Sequence, residues 1–259
     1  MTASLLCNTD ARGVATLTLH RPARRNALDG KLMAALSKHL SVLADDPVTR
    51  VVVLTGSGQA FCSGADLAWV AQVVAAGATA NRADASQLAG LMHQLNTFPR
   101  PTLARVNGAA WGGGIGLIAC CDLAIASSAA TFAFSEVRLG LVAAVIAPYV
   151  LAAIGPRQAR HFLLTGERFS SQQAMAMGLV CQVVTEVELD TAVEMQLTRL
   201  LQGEPHAQAE TKRLLQRLVD GNREFLQQTA DLTARLRATA AAQQRMQVFL
   251  KRHKASQDA

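Results

Sequence analysis

Two stretches place backbone N–H groups where a developing negative charge could use them. Phe61-Cys62-Ser63-Gly64-Ala65-Asp66 follows the apolar run 51–54, and Asn107-Gly108-Ala109-Ala110-Trp111-Gly112-Gly113-Gly114 follows the apolar run 103–106. Each leads into helix-compatible residues and so offers free N–H groups at the positive end of a helix dipole. Two such groups converging on one oxygen form an oxyanion hole. The same glycines would equally allow tight turns and close packing, and residue types alone leave both readings open. A third candidate is Glu136. Between residues 106 and 156 the only charges are Asp122, Glu136 and Arg138, and a carboxylate in so apolar a block is costly unless paired or used. Its carboxyl group is expected to be partly desolvated, with its pKa raised toward the range useful for proton transfer near neutrality. The competing role is an ion pair with Arg138, which shares its face if the segment is extended.

Other chemistries fit less well. Gly112-Gly113-Gly114-Ile115-Gly116 mimics a dinucleotide fingerprint, but Leu117 stands where the last glycine belongs. Phe61 occupies the place of the first glycine of a nucleophile elbow around Ser63. His20, His39, His93, His161, His206 and His253 show no ligand spacing with one another or with cysteine, so no metal is expected. Cys7, Cys62, Cys120, Cys121 and Cys181 are odd in number, which fits a reducing compartment, and the middle three read as small buried hydrophobes.

The elements that must hold these residues form a coarse pattern. The chain of 259 residues is 50% apolar and 17% charged, enough for one large core. Its net charge of +6 is concentrated near the ends, with +3 over residues 1–50, −1 over 51–203 and +5 over 204–254. With one Tyr, two Trp and no basic run longer than two, nucleic-acid binding is disfavoured. The uncharged stretch 139–156 has the length of a membrane span, but Gly140, Pro148 and Gly155 argue for a buried helix, so no membrane association is expected. The N-terminus lacks a leader pattern, and the cytoplasm is the expected location.

Residues 14–19 alternate like a strand. Asp29 caps a helix with Leu32, Met33, Leu36, Leu40 and Leu43 on one face, and 51–54 reads as a strand covered on both sides. Further helices are predicted at 67–76, 86–98, 112–121 and 142–154, and further strands at 102–106, 123–126, 131–134 and 179–184. From residue 187 the chain is helix-compatible, with Pro205 as a break and a long helix over 225–251. The fold class is α/β. A core over 1–198 is followed by a helical region, 199–259, too polar to fold alone and expected to pack on other subunits.

Taken together, F-C-S-G-A-D-L at 61–67, N-G-A-A-W-G-G-G at 107–114, C-D-L-A-I-A at 121–126 and S-E-V-R-L-G-L at 135–141 resemble the enoyl-CoA hydratase/isomerase (crotonase) superfamily. R-x-N-A-L at 24–28 and L-T-G-E-R-F-S at 164–170 add to the likeness. The resemblance implies a repeated ββα spiral with a C-terminal trimerisation region, a homotrimer or dimer of trimers, an acyl-CoA substrate, and no cofactor beyond the coenzyme A of that substrate. It implies that the N–H groups of Ala65 and Gly113 bind the thioester oxygen. Ser63, Gly64, Ala65, Asp66, Leu67 and Ala68 would line the adenine and pantetheine path, and Arg24 or Arg25 would approach the CoA phosphates.

Hydratases of this family use two glutamates around one water. Glu136 matches the second, whereas Gly116 holds the place of the first. One glutamate suffices to shuttle a proton between carbons, as double-bond migration requires. The stretches 119–126 and 135–150 most resemble bacterial 3-methylglutaconyl-CoA and γ-carboxygeranoyl-CoA hydratases of leucine and acyclic-terpene breakdown, whose substrates carry a free carboxylate. The expected activity is therefore a hydro-lyase acting on a branched, carboxylated 2-enoyl-CoA, with room at Gly116 for the acyl branch and Glu136 as acid/base. The alternatives are an enoyl-CoA isomerase using Glu136 alone and a non-catalytic relative that binds CoA or RNA.

Overall fold

The computed structural model describes residues 3–219. The chain divides into two compact units, residues 1–202 and 203–259. The helix expected over 225–251 lies outside the described residues.

The first unit is built from a strand–strand–helix repeat. β1 (Leu5–Thr9) and β2 (Val14–Leu19) precede α1 (Gly30–Asp45). β3 (Val51–Gly56) and β4 (Ala60–Cys62) precede α2 (Leu67–Ala75) and α3 (Ala78–Asn96). β5 (Thr102–Val106) and β6 (Ala109–Trp111) precede α4 (Gly113–Ala119). β7 (Leu123–Ser127) and β8 (Thr131–Ala133) precede a 3-10 turn, Glu136–Leu139, and α5 (Ala147–Thr165). β9 (Arg168–Ser170), α6 (Ser171–Met177), β10 (Gln182–Val184) and α7 (Leu189–Leu201) complete the unit, and α8 (Pro205–Val219) opens the second.

From the second repeat onward the two strands part company. The first joins a six-stranded sheet ordered β1-β2-β3-β5-β7-β10, and the second joins a four-stranded sheet ordered β4-β6-β8-β9. The chain thus advances one strand in each sheet per repeat, which is the expected ββα spiral. Alternation explains the apolar run in β3. Val52 and Leu54 face the main core with Leu17, Leu36 and Phe61, while Val51 and Val53 meet Leu189, Val193 and Leu197 of α7. In α1 the predicted stripe Leu32, Met33, Leu36, Leu40 and Leu43 is buried, and Asp29 accepts a hydrogen bond from Leu32 N at 2.8 Å.

The structure departs from the sequence reading in several elements. β1, β4, β6 and β9 were not among the predicted strands; the last three span three residues each, too few to display a period. The helix predicted from residue 86 begins at Ala78, and that predicted from residue 142 begins at Ala147. Pro148 lies in the first turn of α5, where its missing N–H costs nothing, and Gly155 at φ 73° kinks the helix before Pro156. Leu151 is exposed, so α5 is buried on one side rather than wholly. Among the described residues no helix is long and apolar enough to cross a membrane.

Phe132 of β8, Phe134, Phe162 of α5 and Phe169 of β9 pack with ring centroids 4.5 to 5.9 Å apart. This cluster anchors the chain immediately before Ser135 and Glu136. Phe132→Ala should destabilise the protein by about 3–5 kcal/mol through lost burial and the cavity left behind. Denaturant unfolding should show the midpoint fall without a change in slope.

Candidate active site

β4, β6 and β8 are neighbours and parallel, with Cys62 paired to Ala110, Ala110 to Phe132 and Trp111 to Ala133. The chain therefore leaves all three strands at the same edge, into the loops at 63–66, 112–114 and 134–136. Ligands of parallel sheets bind off these carboxyl ends. A cleft of about 590 Å³ opens there, and every predicted CoA-path residue lines it: Arg24, Arg25, Ser63, Gly64, Ala65, Asp66, Leu67 and Ala68. Glu136 lines it too. Arg24 and Arg25 reach it because Ser63 N donates to Arg25 O at 3.0 Å and the Ser63 hydroxyl to Arg24 O at 3.4 Å.

The local hydrogen bonding sets the direction of Ala65. Leu28 and Ala65 form a single parallel bridge, in which Leu28 N donates to Gly64 O at 2.7 Å and Asp66 N donates to Leu28 O at 2.8 Å. The neighbours of Ala65 take both bonds, so its own N–H points to the other side and has no acceptor among the described residues. In the next loop Gly112 N donates to Ala133 O at 2.9 Å, and Ile115 N and Gly116 N donate to Gly112 O. The N–H of Gly113, a first-turn donor of α4, has no acceptor among the described residues. Gly113 adjoins the cleft rather than lining it. A Cβ on Gly64, whose φ is 85°, would lie 3.5 Å from Gly113 N and only 2.8 Å from Trp111 O. The glycines therefore serve close backbone approach and donor exposure together.

Glu136 sits at the start of the 3-10 turn. Burial pushes its carboxyl pKa up, opposed only by its own backbone N–H. Its Oε2 is buried and has no partner among the described residues, and Oε1 rests against Gly112, where a Cβ would lie 2.5 Å away. The ion pair considered with Arg138 does not form. The segment is a 3-10 turn and not extended, so residues two apart point in different directions, and Arg138 Nε donates instead to Thr165 O at 3.4 Å. Trp111 Nε1, on another residue lining the cleft, is a second buried polar atom with no partner among the described residues, and the Arg168 guanidinium lies 5.0 Å from its ring centroid.

Gly116 requires a correction. It does not line the cleft, and no space for an acyl branch lies beside it. A Cβ there would overlap Ile146 and sit 3.2 Å from Met92 Cε, and both of those side chains are fully buried. Ile146 fills the volume that the missing side chain would have taken. The cleft also uses Trp111, Gly112, Arg138, Leu139 and Leu141, which the sequence reading did not assign to it. The signals were present for Gly112, the first of the three glycines, and for Arg138, one of three charges in the apolar block.

The sequence profile described as enoyl-CoA hydratase/isomerase matches residues 9–258. This chain belongs to the enoyl-CoA hydratase/isomerase family. A hydroxycinnamoyl-CoA hydratase-lyase of Pseudomonas fluorescens is 34% identical over 248 residues, covering 92% of this chain and 89% of the relative. The crystal structure of an enoyl-CoA hydratase from Shewanella pealeana matches with a TM-score of 0.92 at 37% identity, covering 96% of this chain and 94% of the other. Pseudomonas aeruginosa AtuE matches with a TM-score of 0.93 at 34% identity, covering 96% and 97%. The protein is thus an enzyme of crotonase fold, with hydratase-type activity on acyl-CoA.

Two outcomes follow for stability. The folded-state pKa of Glu136 lies above its unfolded value, so its contribution is fully present at low pH and is lost as pH rises through the raised pKa. Glu136→Gln, neutral throughout, should match the parent in thermal midpoint near pH 4 and exceed it near pH 8. Gly116→Glu should lower the midpoint by about 5 °C or more, by overpacking Ile146 and burying a charge, with no gain in hydration rate. Calorimetry on each variant checks both.

Proposed function

We propose that the enzyme adds water across the C2–C3 double bond of a 2-enoyl-CoA, with Ala65 and Gly113 as oxyanion donors and Glu136 as acid/base. The observation that carries this reading is the buried, unpartnered Oε2 of Glu136 at the same strand edge as two unpaired backbone N–H groups. The two N–H groups would donate to the thioester oxygen and draw electron density toward it, each being worth about 10²–10³ in rate. Glu136, ionised, would take a proton from water as the water oxygen bonds to C3. The enolate would then collapse and recover that proton at C2 from the same carboxyl group, leaving hydroxyl on C3 and hydrogen on C2. A raised pKa suits a group that must both accept and return a proton.

The acyl group is proposed to be branched and to carry a free carboxylate, as in 3-methylglutaconyl-CoA. Arg138 supports this: it lines the cleft on the turn that bears Glu136, and among the described residues its guanidinium donates to a backbone carbonyl, Thr165 O, at 3.4 Å rather than to a carboxylate. Arg24 and Arg25 are proposed to meet the CoA phosphates. Assembly as a homotrimer or dimer of trimers is proposed from the exposed apolar side chains Leu139, Leu141 and Val142. A stable monomer at micromolar concentration would overturn it.

A second reading, double-bond isomerisation by Glu136 alone, is favoured by the apolar packing of Ile146 where a second carboxylate would have to enter. Incubation with 3-methylglutaconyl-CoA and with a 3-enoyl-CoA, following hydration and double-bond migration separately, distinguishes the two. Tight CoA binding without any turnover would favour a binding module instead. Glu136→Gln should lower kcat at least ~10²-fold with acyl-CoA affinity little changed, and activity retained with a lower thermal midpoint would refute the assignment. Arg138→Leu should raise KM for 3-methylglutaconyl-CoA about tenfold or more while leaving crotonyl-CoA unaffected.

A further inference from the structure

The parallel bridge that orients Ala65 has a like-charge problem beside it. Leu28 and Ala65 are paired in register, so the next residues on the two chains, Asp29 and Asp66, lie side by side. Both are helix N-caps. Asp29 Oδ1 accepts from Leu32 N at the start of α1, and Asp66 Oδ1 accepts from Ala68 N at 3.1 Å and Trp69 N at 3.4 Å at the start of α2. Two carboxylates in such register repel each other. A single guanidinium stands between them. Arg21 Nη2 lies 3.0 Å from Asp29 Oδ2 and 2.9 Å from Asp66 Oδ2, and Nη1 donates to Ala27 O, one residue before the bridge. All three side chains are largely buried, at 18, 17 and 11% exposure for Arg21, Asp29 and Asp66, so solvent screens the cluster poorly. Burial raises the Asp66 carboxyl, but the Arg21 hydrogen bond and the helix N–H groups outweigh it, and Asp66 remains ionised with a lowered pKa.

We propose that Arg21 is a positioning residue for catalysis, clamping the Asp29 and Asp66 caps so that the Ala65 N–H is held on the thioester oxygen. This rests on the oxyanion reading of Ala65 above. Both strands of the bridge are fixed by the same cation: residues 27–29 through Ala27 O and Asp29, and the Ala65 strand through Asp66. The backbone of Arg21 is fixed in turn, because its N–H donates to the buried Asn26 Oδ1 at 2.9 Å while Asn26 Nδ2 donates to Ser57 O and Ala60 O. A donor displaced by about 1 Å forfeits much of its transition-state interaction. Lysine carries the charge and three donors but on a single nitrogen, so it cannot occupy both the Nη1 position at Ala27 O and the Nη2 position between the two carboxylates.

The test compares the parent with Arg21→Lys and Asp66→Asn, the latter keeping an oxygen for the Ala68 and Trp69 N–H groups. Two readouts are used: kcat and KM for crotonyl-CoA hydration, and the infrared carbonyl band of carbonyl-labelled butanoyl-CoA, which binds but has no double bond to hydrate. In the parent, binding should shift the band to lower frequency. Each variant should lose most of that shift and about ten- to a hundredfold in kcat; butanoyl-CoA affinity should stay within about threefold in Arg21→Lys, whose side chain does not line the cleft, whereas Asp66→Asn, which does line it, is judged by the shift and kcat alone. If the folded variants keep both the shift and kcat while melting lower, the cluster is a fold-stabilising ion pair and the proposal is overturned. A bound parent complex with no shift at all would overturn the oxyanion reading itself, and this proposal with it. Should Arg21→Lys not fold, Asp66→Asn decides by the same readouts.

Discussion

Backbone-to-backbone contact between the loop after β4 and the loop after β6 is the constraint on which the site depends. Two N–H groups can serve one oxygen only if their chains approach without intervening side chains. At Gly64 a Cβ would press on Trp111 O, at Gly112 it would meet the Glu136 carboxylate, and at Gly114 it would overlap Cys62 O. The cost appears in α4, a seven-residue helix with glycine at 113, 114 and 116, where glycine in a helix interior, as at 116, is about 1 kcal/mol less favourable than alanine. Complete burial of Ile115, Leu117 and Ile118 offsets it. The helix is held by packing rather than by its own propensity.

The topology supplies the three chemical groups with little further adjustment. Each ββα repeat adds one short strand to the four-stranded sheet, and three successive repeats deliver Ala65, Gly113 and Glu136 off the ends of β4, β6 and β8. Because these strands are parallel and adjacent, the groups share one edge although they lie far apart in sequence. The aromatic cluster around Phe132 and Phe169 fixes the last of the three from beneath.

The carboxylates near the cleft are treated in opposite ways. Asp66 is buried, paired with Arg21 and bonded to helix N–H groups, so it stays ionised and holds structure. Glu136 is half-buried beside glycine, with a buried Oε2 that has no partner among the described residues, so its charge is unfavourable and its proton exchangeable. Proteins commonly give up stability at the residues that react. The difference between these two side chains separates the scaffold of the site from its reactive group.

Periodic and capped elements were legible in the residues themselves: Asp29 with the stripe of α1, the doubly buried β3, and the α/β class. The glycine runs and the isolated Glu136 were legible too, because their chemistry lies in residue type, local spacing and the scarcity of charge around them. Tertiary structure decided what depends on distant neighbours. The three-residue strands β4, β6 and β9 exist only through pairing across the sheet, having too few residues to show a period. Whether Gly116 leaves a pocket was settled by Ile146, and whether Glu136 pairs with Arg138 was settled by a 3-10 turn where an extended segment was equally compatible with the residues. Space and direction belong to the packed chain, since a side chain's volume and aim are fixed by contacts that no local window of sequence contains.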